Sequence, residues 1–448
     1  MNSIAKNPSM DNVRRMLEHP PATSAQDRFA IVWSDKKRDT LHRTARRELA
    51  AAVPIDVPLA TALLRCAEGD FNQAENQVTE ILRDNLHLCT RDNELFISLL
   101  YALFCVQRLD LAAAMLKDRY GFARSFRLSV EPNASGVGQV GWAISPPQDG
   151  GEHCFTFDAG VYSVDETRTE ILAFQWEFPL FAHYSGLATQ EPGKVVINRQ
   201  DIGIVPGLAY CDSRPQYYLI PDCIFISSQG YSYARRVFQK DEIRWADRKP
   251  TALWRGATTG IPERVNDWTS LPRAKLCQLA RDCDDTRLFD VGFSSVVQFD
   301  KKDVAAEIRA AGLMREFISW QEWKKYKYHL VIDGNSSPWS NLFQQLLTGS
   351  TVLKVESTRG LVQWYYDELR PWHNFVPIAP DISDLVDKVK WLNRNDRVAE
   401  AIGRRGFDLA KRLSYAREIA RSVPTISAAI RDFTGLPGAS GPYGRALS

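Results

Sequence analysis

The chain has 448 residues, 44% apolar and 25% charged, with 56 basic and 54 acidic side chains and a formal charge of +2. That length fits two or three domains with sizeable cores, and the composition excludes a fibrous or wholly disordered protein. The near-balanced charge, with no basic–aromatic stripe, gives no nucleic-acid partner.

Twelve Trp, 15 Tyr and 21 Phe suit core packing and also the lining of sugar or nucleotide clefts. The eight cysteines include no CxxC pair and no His/Cys metal spacing, so reduced thiols are expected and no metal. The opening residues MNSIAKNPSMDNVRRML lack a signal-type apolar segment, and no run reaches a membrane span. The expectation is a cytoplasmic protein, at most peripheral to the membrane.

Residues 1–50 form a polar lead-in. Residues 51–124 have a helical period, with Ala74, Val78, Ile81 and Leu82 on one face and Phe96, Leu99, Leu100 and Leu103 on another. Glu68–Ala74 and Arg108–Ala114 read as worn tetratricopeptide-type hairpins, and two copies fall short of an array. From residue 125 the pattern turns to short strands, Ser125–Val130, Val140–Ile144 and Cys154–Phe157. Gly136–Gly141 matches GxGxxG, but Trp142-Ala-Ile-Ser-Pro-Pro follows instead of a helix, so it is read as a glycine-rich turn.

A helix is expected over Thr169–Phe178, then a buried strand, Lys194–Asn198. Asp201 follows that strand's carboxyl end, where open α/β sheets collect ligands; it is a catalytic candidate or a turn cap. Tyr217–Ile226 reads as another strand. Charges bunch over Ala234–Pro250, and a boundary between domains 125–245 and 246–434 is placed there, with a loose tail from 435 to 448. Thr251–Gly260 reads as a strand delivering Arg255, Gly256, Ala257 and Thr258 into a small hydroxyl-rich loop suited to a diphosphate.

Tyr326–Pro377 contains a strand at His329–Ile332, a polar turn through Asp333, Gly334 and Asn335, and a helix opened by Pro338 with Ser340 and Asn341 in its first turn. Gly349 stops the helix, and Ser350 leads into a second strand, Thr351–Val355. This is one βαβ unit. It is either an ordinary crossover or a phosphate site at a helix N-terminus. A strand at Phe375–Ile378, a helix at Ile382–Leu392 and an amphipathic helix from Val398 past Leu413 complete the chain.

Four blocks then stand in order: Val196-Ile-Asn-Arg-Gln-Asp201, Ala252-Leu-Trp-Arg-Gly-Ala-Thr258, Lys325–Asn335 and Leu346–Lys354. Trp364–Trp372 and Phe375–Ile378 follow. Over roughly 165–430 this resembles glycosyltransferase family 90, the capsule-associated and protein O-glucosyltransferase (Rumi-like) family. The resemblance implies an α/β GT-B fold, two Rossmann-like domains facing across a cleft, with the helical region in front. It implies inverting, metal-independent transfer from a UDP-sugar, glucose or xylose, to a glycan, glycolipid, lipopolysaccharide, capsule or protein hydroxyl.

Asp201 takes the base role by that resemblance. Arg255, Gly256, Ala257, Thr258, Asp333, Gly334, Asn335, Ser340, Asn341, Gly349 and Ser350 are expected to bind the donor. Many relatives carry an Arg at the start of the helix after the turn. Here Ser340 and Asn341 stand without one, so either the helix dipole and Arg255 suffice, or another cation such as Arg359 enters from a loop, or catalysis is weakened. The alternative is a non-catalytic nucleotide-sugar-binding or scaffold protein acting through its helical region.

Overall fold

A computed structural model describes residues 70–89, 126–132, 139–145, 155–159, 193–228, 230–239, 243–299 and 301–434, with isolated residues elsewhere. The expected lead-in, the turn at Gly136–Gly138, most of the Thr169–Phe178 helix and the tail from Gly435 lie outside them. The chain divides into two compact units, Met1–Ile197 with Ser422–Ser448, and Asn198–Arg421. The position expected for a domain boundary, 245/246, is internal to the second.

In the first unit, helix α1 spans Phe71–Asn85 and is capped by the Asp70 carboxylate, which accepts from the Gln73 amide. Its apolar face is the expected one: Ala74, Val78 and Leu82 are fully buried. Glu75 on α1 pairs at 3.2 Å with Arg108, whose side chain is 4% exposed. Strands β1 (Phe126–Pro132), β2 (Gln139–Ser145), β3 (Phe155–Ala159) and β4 (Gly193–Asn198) lie in the order β3-β1-β2-β4. β1 is antiparallel to β2 and parallel to β3. Gly141 falls inside β2, so the last glycine of the GxGxxG run is extended strand.

The second unit opens with β5 (Gly207–Ala209) paired in parallel with β6 (Tyr217–Leu219). The strand expected over Tyr217–Ile226 ends early. Pro221 interrupts it, and buried Asp222 accepts from the amides of Ile224 and Phe225, starting a short helix, α2 (Cys223–Ser227). Apolar residues alone could not separate these states; the Pro-Asp pair does. Helix α3 (Ser232–Gln239) then runs into the charged stretch, of whose two readings, a solvated linker or a helix, its start takes the helix.

Five parallel strands build the main sheet: β7 (Lys249–Ala257), β8 (Phe289–Ser295), β9 (Tyr326–Val331), β10 (Thr351–Val355) and β11 (Val376–Ile378). Helix α4 (Pro272–Asp282) joins β7 to β8, and α5 (Lys301–Ala310) with α6 (Trp320–Trp323) joins β8 to β9. Helix α7 (Trp339–Leu347) joins β9 to β10. Central β9 and β10 are buried at every position, as parallel strands covered on both faces must be. After β11 come α8 (Leu385–Arg394), α9 (Asp396–Arg412) and α10 (Tyr415–Thr434). The single long terminal helix expected from Val398 is therefore two helices, parted at Leu413–Ser414.

The sheet order is β11-β10-β9-β7-β8. The chain leaves β7 for β8 on one side, then returns to place β9 on the other. This is an α/β sheet of the open doubly wound kind, and its strand order reverses between β7 and β9. The crevice at their carboxyl ends is where such sheets accept ligands. Among the described residues, no helix is long and apolar enough to cross a membrane.

Candidate functional site

The loops leaving β7 and β9 meet at this crevice. The side-chain oxygen of Asn335 accepts from the Gly260 amide at 2.9 Å and from Gln298 Nε2 at 2.9 Å. Arg273, in the first turn of α4, donates to the carbonyls of Ala257 (3.1 Å), Ile332 (3.2 Å) and Asp333 (3.0 Å), and to the Thr259 hydroxyl. Burial lowers its pKa to about 10, so the guanidinium stays charged. Gly334 is required where it stands, because a Cβ there would meet Thr259 Oγ1 at 2.6 Å and Arg273 at 2.8 Å.

Asp333 is the unusual group. Its carboxylate oxygens are buried, and burial raises the pKa, against the Ser357 hydroxyl and the pull of Lys354, Arg359 and Arg273 nearby. An ionised carboxylate keeps acceptor capacity beyond one such hydroxyl, so beside these cations it is set for a ligand that carries donors. Lys354 on β10 is 7% exposed, and its Nζ reaches the Val355 carbonyl at 3.4 Å. Burial lowers its pKa and Asp333 opposes the shift. Arg359, from the loop after β10, donates to the carbonyls of Gly334 and Asn335. The cation missing from the start of α7 thus enters from a different loop at the same turn.

Asp201 belongs to the loop after β4. Buried Asn198 ties that loop down, accepting from the amides of Ile204 (2.8 Å) and Val205 (3.1 Å) and donating to the carbonyls of Val205 and Leu208. Asp212 accepts from the Gly203 amide at 2.9 Å and from the Arg214 side chain. Burial pushes the Asp212 carboxyl up, but these hydrogen bonds outweigh it and hold it at about 2. Asp201 itself is exposed and accepts from Ser336 Oγ at 3.4 Å. Backbone bonds between Asp212 and Val362, 3.3 Å each way, anchor the same loop to the segment after β10. The Ser337 hydroxyl meets Tyr366 and Gln363. Three segments, 199–214, 333–339 and 357–366, therefore converge.

Of the residues expected to act, Asp201, Ala257, Asp333, Gly334 and Asn335 are brought to this place. Ser340 and Asn341 lie in the first turn of α7, with the Asn341 side-chain oxygen taken by Gln345 at 2.7 Å. Five others are placed differently. Arg255 is 8% exposed and pairs with Asp290 at 2.6 Å. It also donates to the carbonyls of Trp254, Asp290 and Glu316, so its fork binds the protein itself. Gly256 packs on Trp254, whose ring a Cβ would meet at 2.5 Å. The Thr258 hydroxyl is spent on the Val297 backbone, donating at 2.6 Å and accepting at 2.8 Å.

Gly349 and Ser350 sit at the opposite, amino edge of the sheet, because the Thr351 that follows is level with Tyr328. Gly349 ends α7 with a φ of 71°. Ser350 Oγ donates to the Tyr326 carbonyl at 2.7 Å. Gly403 of α9 closes over both, since a Cβ there would strike the Gly349 carbonyl at 2.6 Å. The Asp282-Cys283-Asp284 triplet, a spacing that can hold a cation on a diphosphate, also lies away from the crevice. It ends α4, and Asp282 is paired with Arg281 at 2.6 Å.

Arg273, Lys354 and Ser336 were not singled out from sequence. Lys354 had a usable signal, a lone charge in the apolar run Thr-Val-Leu-Lys-Val. Arg273 had none, since Leu-Pro-Arg at a helix start reads the same on any surface.

Residues 226–416 match the profile of glycosyl transferase family 90. Protein O-glucosyltransferase 3 of Rattus norvegicus is 36% identical over 135 residues, covering 30% of this chain and 24% of the relative. Uncharacterized protein 035R of Invertebrate iridescent virus 3 is 30% identical over 170 residues, covering 36% of this chain and 15% of the relative. The chain thus spans a quarter or less of these relatives. A crystal structure of Anabaena Alr3699/HepE with UDP-glucose superposes with a TM-score of 0.28 at 12% identity, over 44% of this chain and 52% of the other. The turn that gathers Asp333, Lys354 and Arg359 therefore lies within the stretch, residues 226–416, that matches the glycosyl transferase family 90 profile.

Proposed function

We propose that the chain is an inverting, metal-independent glycosyltransferase that moves a sugar, glucose or xylose, from a UDP-sugar to a hydroxyl of a glycan, lipopolysaccharide or protein acceptor. The observation that carries this reading is the convergence of Lys354 and Arg359 on the Asp333–Asn335 turn, which Arg273 holds in place through its carbonyls, at the point where the strand order reverses. Fixed cations in a partly buried crevice stabilise charge that develops on a leaving diphosphate, and they can do so without a divalent ion. The buried Asp333 carboxylate, with acceptor capacity to spare, accepts from hydroxyls of the donor.

Asp201 acts as the base. It accepts the proton of the acceptor hydroxyl as the acceptor oxygen bonds to the anomeric carbon and the bond from that carbon to UDP breaks, its electron pair leaving with UDP. Exposure leaves its carboxylate open to the acceptor. Ser336 Oγ stands 3.4 Å from its Oδ1 and shares its one proton between that oxygen and the Ser337 carbonyl at 3.1 Å.

The test is UDP-sugar hydrolysis and transfer measured in EDTA on the full chain and on Asp201→Asn. Activity should persist in EDTA and fall by about a thousandfold in the variant, in line with loss of a positioned base, while UDP affinity is unchanged. Full activity in Asp201→Asn removes it from the role. UDP binding without turnover in the parent chain favours a nucleotide-sugar-binding protein instead.

A further inference from the structure

The flank of the five-stranded sheet carries a second concavity that the transfer reaction does not use. It is an open pocket of about 590 Å³ lined by Trp372, Asp384, Asp387, Lys388, Trp391 and Arg394, a size within the range of small-molecule sites. It lies along edge strand β11 and helix α8, and β10 separates β11 from β9, the strand that leads into the Asp333 turn.

Two large aromatics are left in the open there. Trp372 is 42% exposed and Trp391 37%, and their rings meet edge to face with centroids 5.4 Å apart. Each forgoes burial that an indole would gain in a core, and paired surface aromatics of this kind mark binding surfaces. Trp372 also holds a φ of 59°, a strained conformation for a bulky residue and one that clusters at ligand sites. Its amide donates to the Phe375 carbonyl at 2.8 Å, which holds the turn in that form. Lys388 backs the Trp372 ring at 5.7 Å while its Nζ is held by the Pro377 carbonyl at 2.6 Å and by Asp384. Trp372 is thereby braced, and exposed Trp391 presents its ring to solvent.

Two carboxylates and two cations surround the indoles, so the charge around the pocket is balanced. Neither an anion nor a cation is favoured, while hydrogen-bond donors and acceptors are both on offer. A ligand that matches has apolar C–H faces to stack on indole, many hydroxyls and no net charge. We propose that the Trp372–Trp391 pocket binds a neutral saccharide chain, stacked on Trp391 with its hydroxyls shared between Asp387 and Arg394. This goes beyond the transfer reaction and stands on its own geometry.

Calorimetry of the full chain with neutral oligosaccharides (maltohexaose, cellohexaose and xylohexaose) tests it, with oligogalacturonate and oligochitosan as charged controls. At least one neutral probe should bind. Trp391→Ala should weaken that binding about tenfold, equivalent to about 1.4 kcal/mol, with the melting temperature and UDP affinity unchanged. Trp391→Phe should recover part of the loss, and Asp201→Asn should bind as the parent does, so the site survives if the transferase reading fails. No binding of any neutral probe, tighter binding of either charged oligomer, or equal binding by Trp391→Ala overturns the proposal.

Discussion

Asn335 Oδ1 and the Gly260 amide are joined by a 2.9 Å hydrogen bond across the point where the sheet reverses its strand order. One bond thus ties the loop after β7 to the loop after β9. Asn335→Ala should free both loops. The expected cost is about 1–2 kcal/mol of stability, read as a lowered denaturant midpoint, with a roughly tenfold loss of UDP affinity by calorimetry. A loss of stability with UDP affinity intact would separate this bond from donor binding.

Arg255 and Arg359 should exchange the roles suggested by sequence position. Arg255→Ala breaks a nearly buried pair with Asp290 and should cost about 2–4 kcal/mol in chemical denaturation. Arg359→Ala removes a half-buried cation at the Asp333–Asn335 turn. It should leave the melting temperature nearly unchanged and weaken UDP binding about tenfold. The reverse pattern would return the diphosphate to Arg255.

Ser350 offers a cleaner contrast, because it stands at the amino edge of the sheet. Its hydroxyl donates to Tyr326 and accepts from Arg248 at 2.9 Å. Ser350→Ala should lose about 1–2 kcal/mol of stability and leave UDP affinity as it was. A selective loss of UDP binding would show that the edge assignment misses a role.

Asp222 sets a pH dependence of stability. Burial, opposed by the Tyr231 hydroxyl and two helix amides, raises its carboxyl pKa to about 6. A raised folded-state value means that folding favours the protonated form. The contribution is therefore complete below the ordinary Asp range near 4 and is lost as pH rises through about 6. Asp222→Asn lacks it. The melting temperature of the parent relative to the variant should fall between pH 4 and pH 7, by an amount corresponding to on the order of 2–3 kcal/mol. A constant difference across that range would rule the linkage out.

What the sequence by itself determined was local. Period-3.6 and all-apolar runs set α7 and β10 within a residue or two, the buried face of α1, and β9 with its start three residues late, because side-chain periodicity and the Pro338 and Gly349 signals act over one turn of chain. The family blocks led to Asp201 and to the Asp333–Asn335 turn for the same reason, since each is a contiguous motif. Tertiary structure decided which charges face the crevice. Arg255 adjoins the motif in sequence, yet it turns to Asp290 on the neighbouring strand. Arg273, Lys354 and Arg359 come from three separate elements and meet only because β9 crosses to the far side of β7. Strand order is a global choice among packings, and no local spacing records it. The same holds for Gly349 and Ser350, which follow the crevice turn by about one helix and are carried by that helix to the other edge of the sheet.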